Sequence, residues 1–194
     1  MQKSIGLKKI KVAVFISGTG TNLKNLIKFS LSPGSPIKVA LVVSNNSNAL
    51  GLNYIKKYKI KKKIYKFRNI SKEENIILNE LKRKNIELIC LAGFMKILSK
   101  NFIKMFNGKI LNIHPSLLPK YKGLNTHERV INNNEKFSGC TVHIVTSKLD
   151  SGKTILQKKV KISKNETPRS LAKKILKQEH LLYPKAIVKF LTNL

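Results

Sequence analysis

Apolar residues follow two rhythms along this chain. Short unbroken runs, rich in β-branched residues, occur at Lys11–Ile16 (KVAVFI), Ile37–Val43, Glu87–Ala92 (ELICLA) and Lys109–Ile113. A continuous apolar run of this length fits a strand buried on both faces, as in a parallel sheet. Lys62–Phe67 reads as a shorter strand. Between the runs the spacing becomes helical, as at Leu23, Leu26 and Ile27, and again at Ile77, Leu78 and Leu81. Ala49–Tyr58 and Ser99–Phe106 read as further helices, and Ser71-Lys72-Glu73-Glu74 opens one with a capping-box pattern. Strand and helix thus alternate five times, which predicts a doubly wound, Rossmann-like α/β sheet.

The rhythm changes after His114. Thr126–Asn132 reads as a helix, and Gly139–Thr146 and Thr154–Ile162 as two strands joined by residues 147–152. Alternating polar and apolar residues at 158–162 predict an edge hairpin with one face in water. Pro168 starts a closing helix with Leu171, Ile175, Leu182, Ile187, Val188 and Leu191 on its apolar side. With no long polar linker, residues 1–194 read as a single domain built on a mostly parallel sheet.

Composition narrows the class. At 42% hydrophobic the chain can bury a sizeable core, and no apolar run approaches the roughly 20 residues of a membrane span. Cys90 and Cys140 sit apart in apolar runs, so they read as reduced core residues of a cytoplasmic protein. Four scattered His and no Cys pair predict no metal site. The net charge of +30 ordinarily suggests a polyanion partner. Here only Arg68, Arg83, Arg129 and Arg169 carry the bidentate fork that specific base readout favours. The lysines spread along the whole chain, apart from a modest knot at Lys56–Lys66. The excess of Lys, Asn and Ile, all with A- and T-rich codons, fits mutational bias, so no specific nucleic-acid partner is expected.

Candidate chemistry sits where strands end. Ser17-Gly18-Thr19-Gly20-Thr21-Asn22 separates the first strand from the first helix, a setting that presents backbone N–H groups to a phosphate. It is neither GxGxxG nor a Walker A sequence, and a plain tight turn is the other reading. Asn112 and His114 stand two residues apart on a strand, so both side chains leave the same face. Pro115 and Pro119 stiffen the turn beyond them. An amide suits a developing oxyanion and an imidazole suits proton movement, although a hydrogen-bonded turn histidine fits equally. Asp150 is the only Asp, and it would raise the pKa of His114 if the two met; a turn-forming role is the alternative. No Ser or Cys stands beside this pair as an obvious nucleophile, which favours direct transfer over a covalent intermediate.

SGTGTNL (17–23), LAGFMKIL (91–98), LNIHPSLLPKYKG (111–123), GCTVHIVT with LDSG (139–152) and KQEHLLYP (177–184) together resemble the phosphoribosylglycinamide formyltransferase family. The resemblance covers about residues 11 to 190. It implies the formyltransferase fold and transfer of formyl from 10-formyltetrahydrofolate to the amine of glycinamide ribonucleotide, in purine synthesis. By position, Asn112 would hold the formyl oxygen, His114 would donate a proton and Asp150 would raise its pKa. Gly20, Thr21, Asn22 and Leu23 would cradle the ribonucleotide phosphate. Glu179, with Leu176, Lys177 and Gln178, would contact the same substrate. Met95, Lys96, Ile97 and Leu98, with Thr146, Ser147, Lys148, Leu149 and Asp150, would line the folate pocket together with Asn112. Lys72 stands where the family has an Arg contacting folate.

Three departures accompany the match. Lys72 loses the bidentate fork, so looser folate binding is expected. Asn125 replaces a common His, and Ser151 and Lys153 alter the usual Gly-Gly-Pro after the Asp. Small-molecule substrates and a monomer or homodimer are expected. A methionyl-tRNA formyltransferase shares NIHPSLLP but carries an added C-terminal domain, and a formyltetrahydrofolate hydrolase an added N-terminal one; the chain length speaks against both. A basic, noncatalytic nucleic-acid binder is the rival of another class.

Overall fold

The computed structural model describes residues 9–193. Seven strands form one sheet in the order β3-β2-β1-β4-β5-β6-β7. Strands β1 (Ile10–Ile16), β2 (Ile37–Ser44), β3 (Lys61–Ile64), β4 (Leu88–Leu91) and β5 (Lys109–His114) run parallel. Strands β6 (Phe137–Ile144) and β7 (Thr154–Lys161) add an antiparallel edge. The continuous apolar runs occupy the middle, because helices cover both faces there. Leu41–Val43 and the whole of β4 are buried.

Helices α1 (Thr21–Leu31), α5 (Thr126–Asn132) and α6 (Pro168–Thr192) pack with Val12, Val14, Leu111, Ile113 and Cys140 on one face. On the other face, α3 (Ile70–Arg83) and α4 (Lys100–Met105) pack with Ala13, Phe15, Leu41, Ile89 and Ile110. The short helix α2 (Leu52–Lys56) is narrower than the 49–58 predicted. Both cysteines are buried and free, and burial pushes each thiol up to about 12. No helix among the described residues is long and apolar enough to cross a membrane. Part of the lysine knot lies on β3, an edge strand whose four residues are all exposed. Charged edge residues there oppose pairing with a second sheet.

Two local expectations need correction. Helix α3 begins at Ile70 and is capped by Asn69, whose Oδ1 accepts from Lys72 N at 3.1 Å. Glu74 therefore does not close a capping box with Ser71. It is buried instead and accepts from the Ser99 backbone N–H at 2.8 Å and from the Ser99 hydroxyl, tying α3 to the cap of α4. On α6, Val188 is exposed, and Tyr183 takes the core position. Pro184 lies inside α6 and cannot donate to the His180 carbonyl four residues back. Asn25 Nδ2 of α1 satisfies that carbonyl at 2.5 Å, so the proline becomes a joint between two helices.

Tyr183 is fully buried, and its hydroxyl faces the carbonyls of Leu91 at 3.1 Å and Leu111 at 3.0 Å. It fixes α6 against the end of β4 and the middle of β5. Tyr183→Phe should lower the free energy of unfolding by about 1–3 kcal/mol, the cost of leaving buried groups unpaired. Urea denaturation checks this, and an unchanged midpoint would contradict it.

Candidate active site

The strand order reverses beside β1, with β2 and β3 on one side and β4 onward on the other. Such a reversal opens a crevice beyond the strands' carboxyl ends. A cavity of about 980 Å³ occupies it, near the upper end of ligand pockets.

The loop after β1 forms one wall. Gly20 has φ +68°, and a Cβ there would lie 2.5 Å from Gly51 Cα, so only glycine fits. No side chain caps α1 and its first turn holds no acid, so its leading N–H groups stay available to an anion. Thr19, Thr21 and Asn22 line the cavity, whereas Leu23 is buried in the core. Ser17 knits this loop to its neighbours: its hydroxyl donates to Asn45 Oδ1 at 2.5 Å and accepts from Met95 N at 2.7 Å.

Opposite lie the loops after β4 and β6. Met95, Lys96, Ile97 and Leu98 line the cavity, as do Thr146, Ser147, Lys148, Leu149 and Asp150. Met95, Ile97, Leu124 and Leu149 are large apolar side chains left exposed around this one opening. Clustered exposure of that kind marks a surface awaiting an apolar ligand. Phe94 plays a double part, since its ring meets Phe15 and Phe67 edge-on while it lines the cavity.

Asn112 and His114 do share a face and both line the cavity. Asp150 meets them there from a turn in which it holds φ 45°. Its Oδ2 lies 3.4 Å from His114 Nδ1 and accepts from Gly123 N at 2.9 Å. Its Oδ1 lies 3.5 Å from Asn112 Nδ2 and 3.5 Å from His143 Nε2. The altered residues after it leave this placement intact. Ser151 accepts from Lys122 Nζ at 2.5 Å and donates to Leu149 O at 2.8 Å, and Gly152 leaves no room for a Cβ against Ile144 O.

Burial first raises the Asp150 carboxyl, but the adjoining His143 ring, the bond from Gly123 N–H and the His114 charge outweigh it and hold the group below its ordinary value. His114 behaves otherwise than expected. Burial pulls its imidazole below the ordinary value. The Tyr121 carbonyl and Asp150 push it up, as anticipated for Asp150, without cancelling burial.

His143 is the member that sequence reading missed. Antiparallel pairing sets it directly opposite Asn112. Its Nδ1 faces Ile144 O at 3.0 Å, so that nitrogen carries the proton and Nε2 accepts from Asn112 Nδ2 at 3.2 Å. A lone polar ring on the Thr141 face of an apolar strand was the available signal. His127, Glu128 and Arg169 also line the cavity without having been foreseen.

The remaining candidates divide by helix geometry. On α6, Ala172, Leu176 and Glu179 recur three or four apart and line the cavity, while Lys177 and Gln178 project away from it. Glu179 is buried and accepts from Asn22 Nδ2 at 2.7 Å, joining α6 to the anion loop; burial raises its carboxyl. Lys72 is exposed near the start of α3, outside the cavity lining. Asn125 lines the cavity in a left-handed conformation, with φ 55°.

Residues 10–187 match the family model described as formyl transferase. The chain belongs to the formyl transferase family. It is 41% identical over 186 residues to a phosphoribosylglycinamide formyltransferase of Haemophilus influenzae, covering 94% of this chain and 87% of that one. A crystal structure of phosphoribosylglycinamide formyltransferase from Brucella melitensis superposes with a TM-score of 0.89 at 40% identity, covering 94% and 96% of the two chains. A trifunctional purine biosynthetic protein adenosine-3 of Bos taurus is 39% identical over 187 residues, but this formyl transferase spans only 18% of its length. The anticipated α/β formyltransferase fold is therefore the fold observed.

Proposed function

We propose that this formyl transferase passes the formyl group of 10-formyltetrahydrofolate to the amine of glycinamide ribonucleotide. The observation that carries the reading is the convergence of Asn112, His114 and Asp150 between an anion-binding helix start and an apolar-rimmed loop pair. A ribonucleotide needs the first wall and a pteridine the second. The N–H groups from Gly20 to Leu23 hold the phosphate. Glu179 and Leu176, on the cavity face of α6, meet the ribonucleotide. Met95–Leu98 and Thr146–Asp150 flank the pteridine.

The chemistry follows from the groups present. The substrate amine attacks the formyl carbon directly, since neither cysteine lines the cavity, and collapse of the tetrahedral adduct breaks the bond from that carbon to the folate nitrogen. Charge grows on the formyl oxygen, where the Asn112 amide and the His114 ring meet it. The His114 ring takes up the proton that the attacking nitrogen sheds, Asp150 steadies the resulting imidazolium, and the ring then donates that proton to the departing folate nitrogen.

Purified protein, incubated with glycinamide ribonucleotide and 10-formyltetrahydrofolate, should release tetrahydrofolate in proportion to ribonucleotide. Turnover with methionyl-tRNA instead, or none with either acceptor, would overturn the reading. Nucleic-acid binding that persists at physiological salt would favour the basic binding protein. At Lys72, a guanidinium should restore bidentate contact with a folate carboxylate. Lys72→Arg is therefore expected to lower the KM for the folate with kcat unchanged, and equal KM values would exclude that contact.

A further inference from the structure

His114 is held in place by groups at both of its ring nitrogens. It is the last residue of β5, paired with Thr141 of β6. Nδ1 faces Asp150, and Nε2 donates to the carbonyl of Tyr121 at 2.8 Å. Tyr121 has φ 56°, in the left-handed region that residues with a Cβ seldom occupy. Its carbonyl therefore points where it does only while neighbouring groups hold the residue there.

Those groups lie outside the cavity. The Tyr121 hydroxyl donates to Glu135 Oε1 at 2.9 Å. Lys120 Nζ reaches the same oxygen at 2.9 Å, and its bond, followed by that of Tyr121, holds the Glu135 carboxyl below its ordinary value. Asn133 Nδ2 donates to the Tyr121 hydroxyl at 3.0 Å. Arg129 sits over the Tyr121 ring and donates to Lys122 O at 2.6 Å and Leu124 O at 3.3 Å. Glu135 is fixed in turn by its own N–H on Val130 O at 3.2 Å. Two residues beyond Tyr121, Gly123 N binds Asp150. One short segment thus holds both members of the proton-handling pair, and the end of α5 holds that segment.

We propose that Glu135, acting through the Tyr121 hydroxyl, is a positioning residue that sets the His114 ring for proton transfer. The proposal rests on the formyl-transfer reading. Neither Glu135 nor Tyr121 lines the cavity, so substrate binding does not depend on them directly. A displacement of the ring of order 1 Å acts on the reacting geometry and so on kcat.

The test compares the wild type with Glu135→Ala, Glu135→Gln, Tyr121→Phe and the Tyr121→Phe/Glu135→Ala pair. Glu135→Ala and Tyr121→Phe should each lower kcat by about ten- to a hundredfold. Both KM values should stay within about twofold of wild type. The double variant should be no worse than either single one, because both break the same link. Glu135→Gln should keep most of the activity, since its amide oxygen still accepts from the tyrosine. Unchanged kcat in both single variants, or losses that multiply in the double, overturn the proposal. An inert wild type would instead overturn the functional reading. The clamp is then judged by the His114 Nε2 proton resonance, which should sharpen only while Glu135 and Tyr121 are paired; the same resonance in Tyr121→Phe would exclude it.

Discussion

Alanine at His114 is expected to lower kcat by about 10²–10⁴-fold, the range for loss of a positioned general acid. The KM values should change far less, because the ring acts on charge that exists only in the transition state. Its surroundings define how it works. Burial makes the free imidazole a weaker base than usual, so above its ordinary titration range it rests neutral. Both nitrogens nevertheless face acceptors, Tyr121 O and Asp150 Oδ2. Only the imidazolium can donate to both. In the proposed reaction the ring is thus set to draw in a proton as negative charge appears on the formyl oxygen.

Asp150→Asn tests that balance. It removes a contribution that raises His114, so the ring should titrate lower than in the wild type, and kcat should fall with it. NMR titration of the imidazole, read beside kcat/KM against pH, checks both. A higher titration midpoint in Asp150→Asn would sink the assigned role. The same shifts bear on stability. The folded-state pKa of His114 lies below that of the unfolded chain, so the unfolded chain takes up the proton first as pH falls. This group therefore withdraws stability progressively below the ordinary histidine range, and none is lost above it.

Most of the fold was legible because the central parallel strands are buried on both faces, where pattern alone marks them. Leu88–Leu91 and Ile37–Ser44 needed no tertiary information. The cap of α3 was not legible, since both Asn69 and Ser71 can cap and tertiary demand decided between them. Ser99 required the Glu74 carboxylate that a capping box would have used. Within the site, Asn112 and His114 followed from strand periodicity, but their partners did not. Asp150 lies 36 residues beyond His114 and His143 reaches Asn112 across an antiparallel register, and neither distance in sequence carries pairing information. Lys177 and Gln178 show the opposite failure. They adjoin Glu179 in sequence, and helical rotation carries them off its face.

Asn112 supports the second large effect. Its Nδ2 donates to His143 Nε2 and lies near Asp150 Oδ1, so the amide nitrogen is aimed at the reacting end of the cavity. Loss of one preorganised oxyanion donor costs about 10²–10³ in kcat. Asn112→Ala should show that loss, but it also opens space. Asn112→Asp separates the two causes, because it keeps the shape and removes the donor. A carboxylate there would also stand beside Asp150, with repulsion added to the lost hydrogen bond. Asn112→Asp should therefore lose at least as much kcat as Asn112→Ala, despite filling the site. If shape were the contribution, the aspartate would retain activity and alanine alone would fail. His143→Leu then measures the orientation of the amide: the donor remains, its guide is gone, and an intermediate loss in kcat is expected. Full activity in His143→Leu would mean that β5 alone aims Asn112.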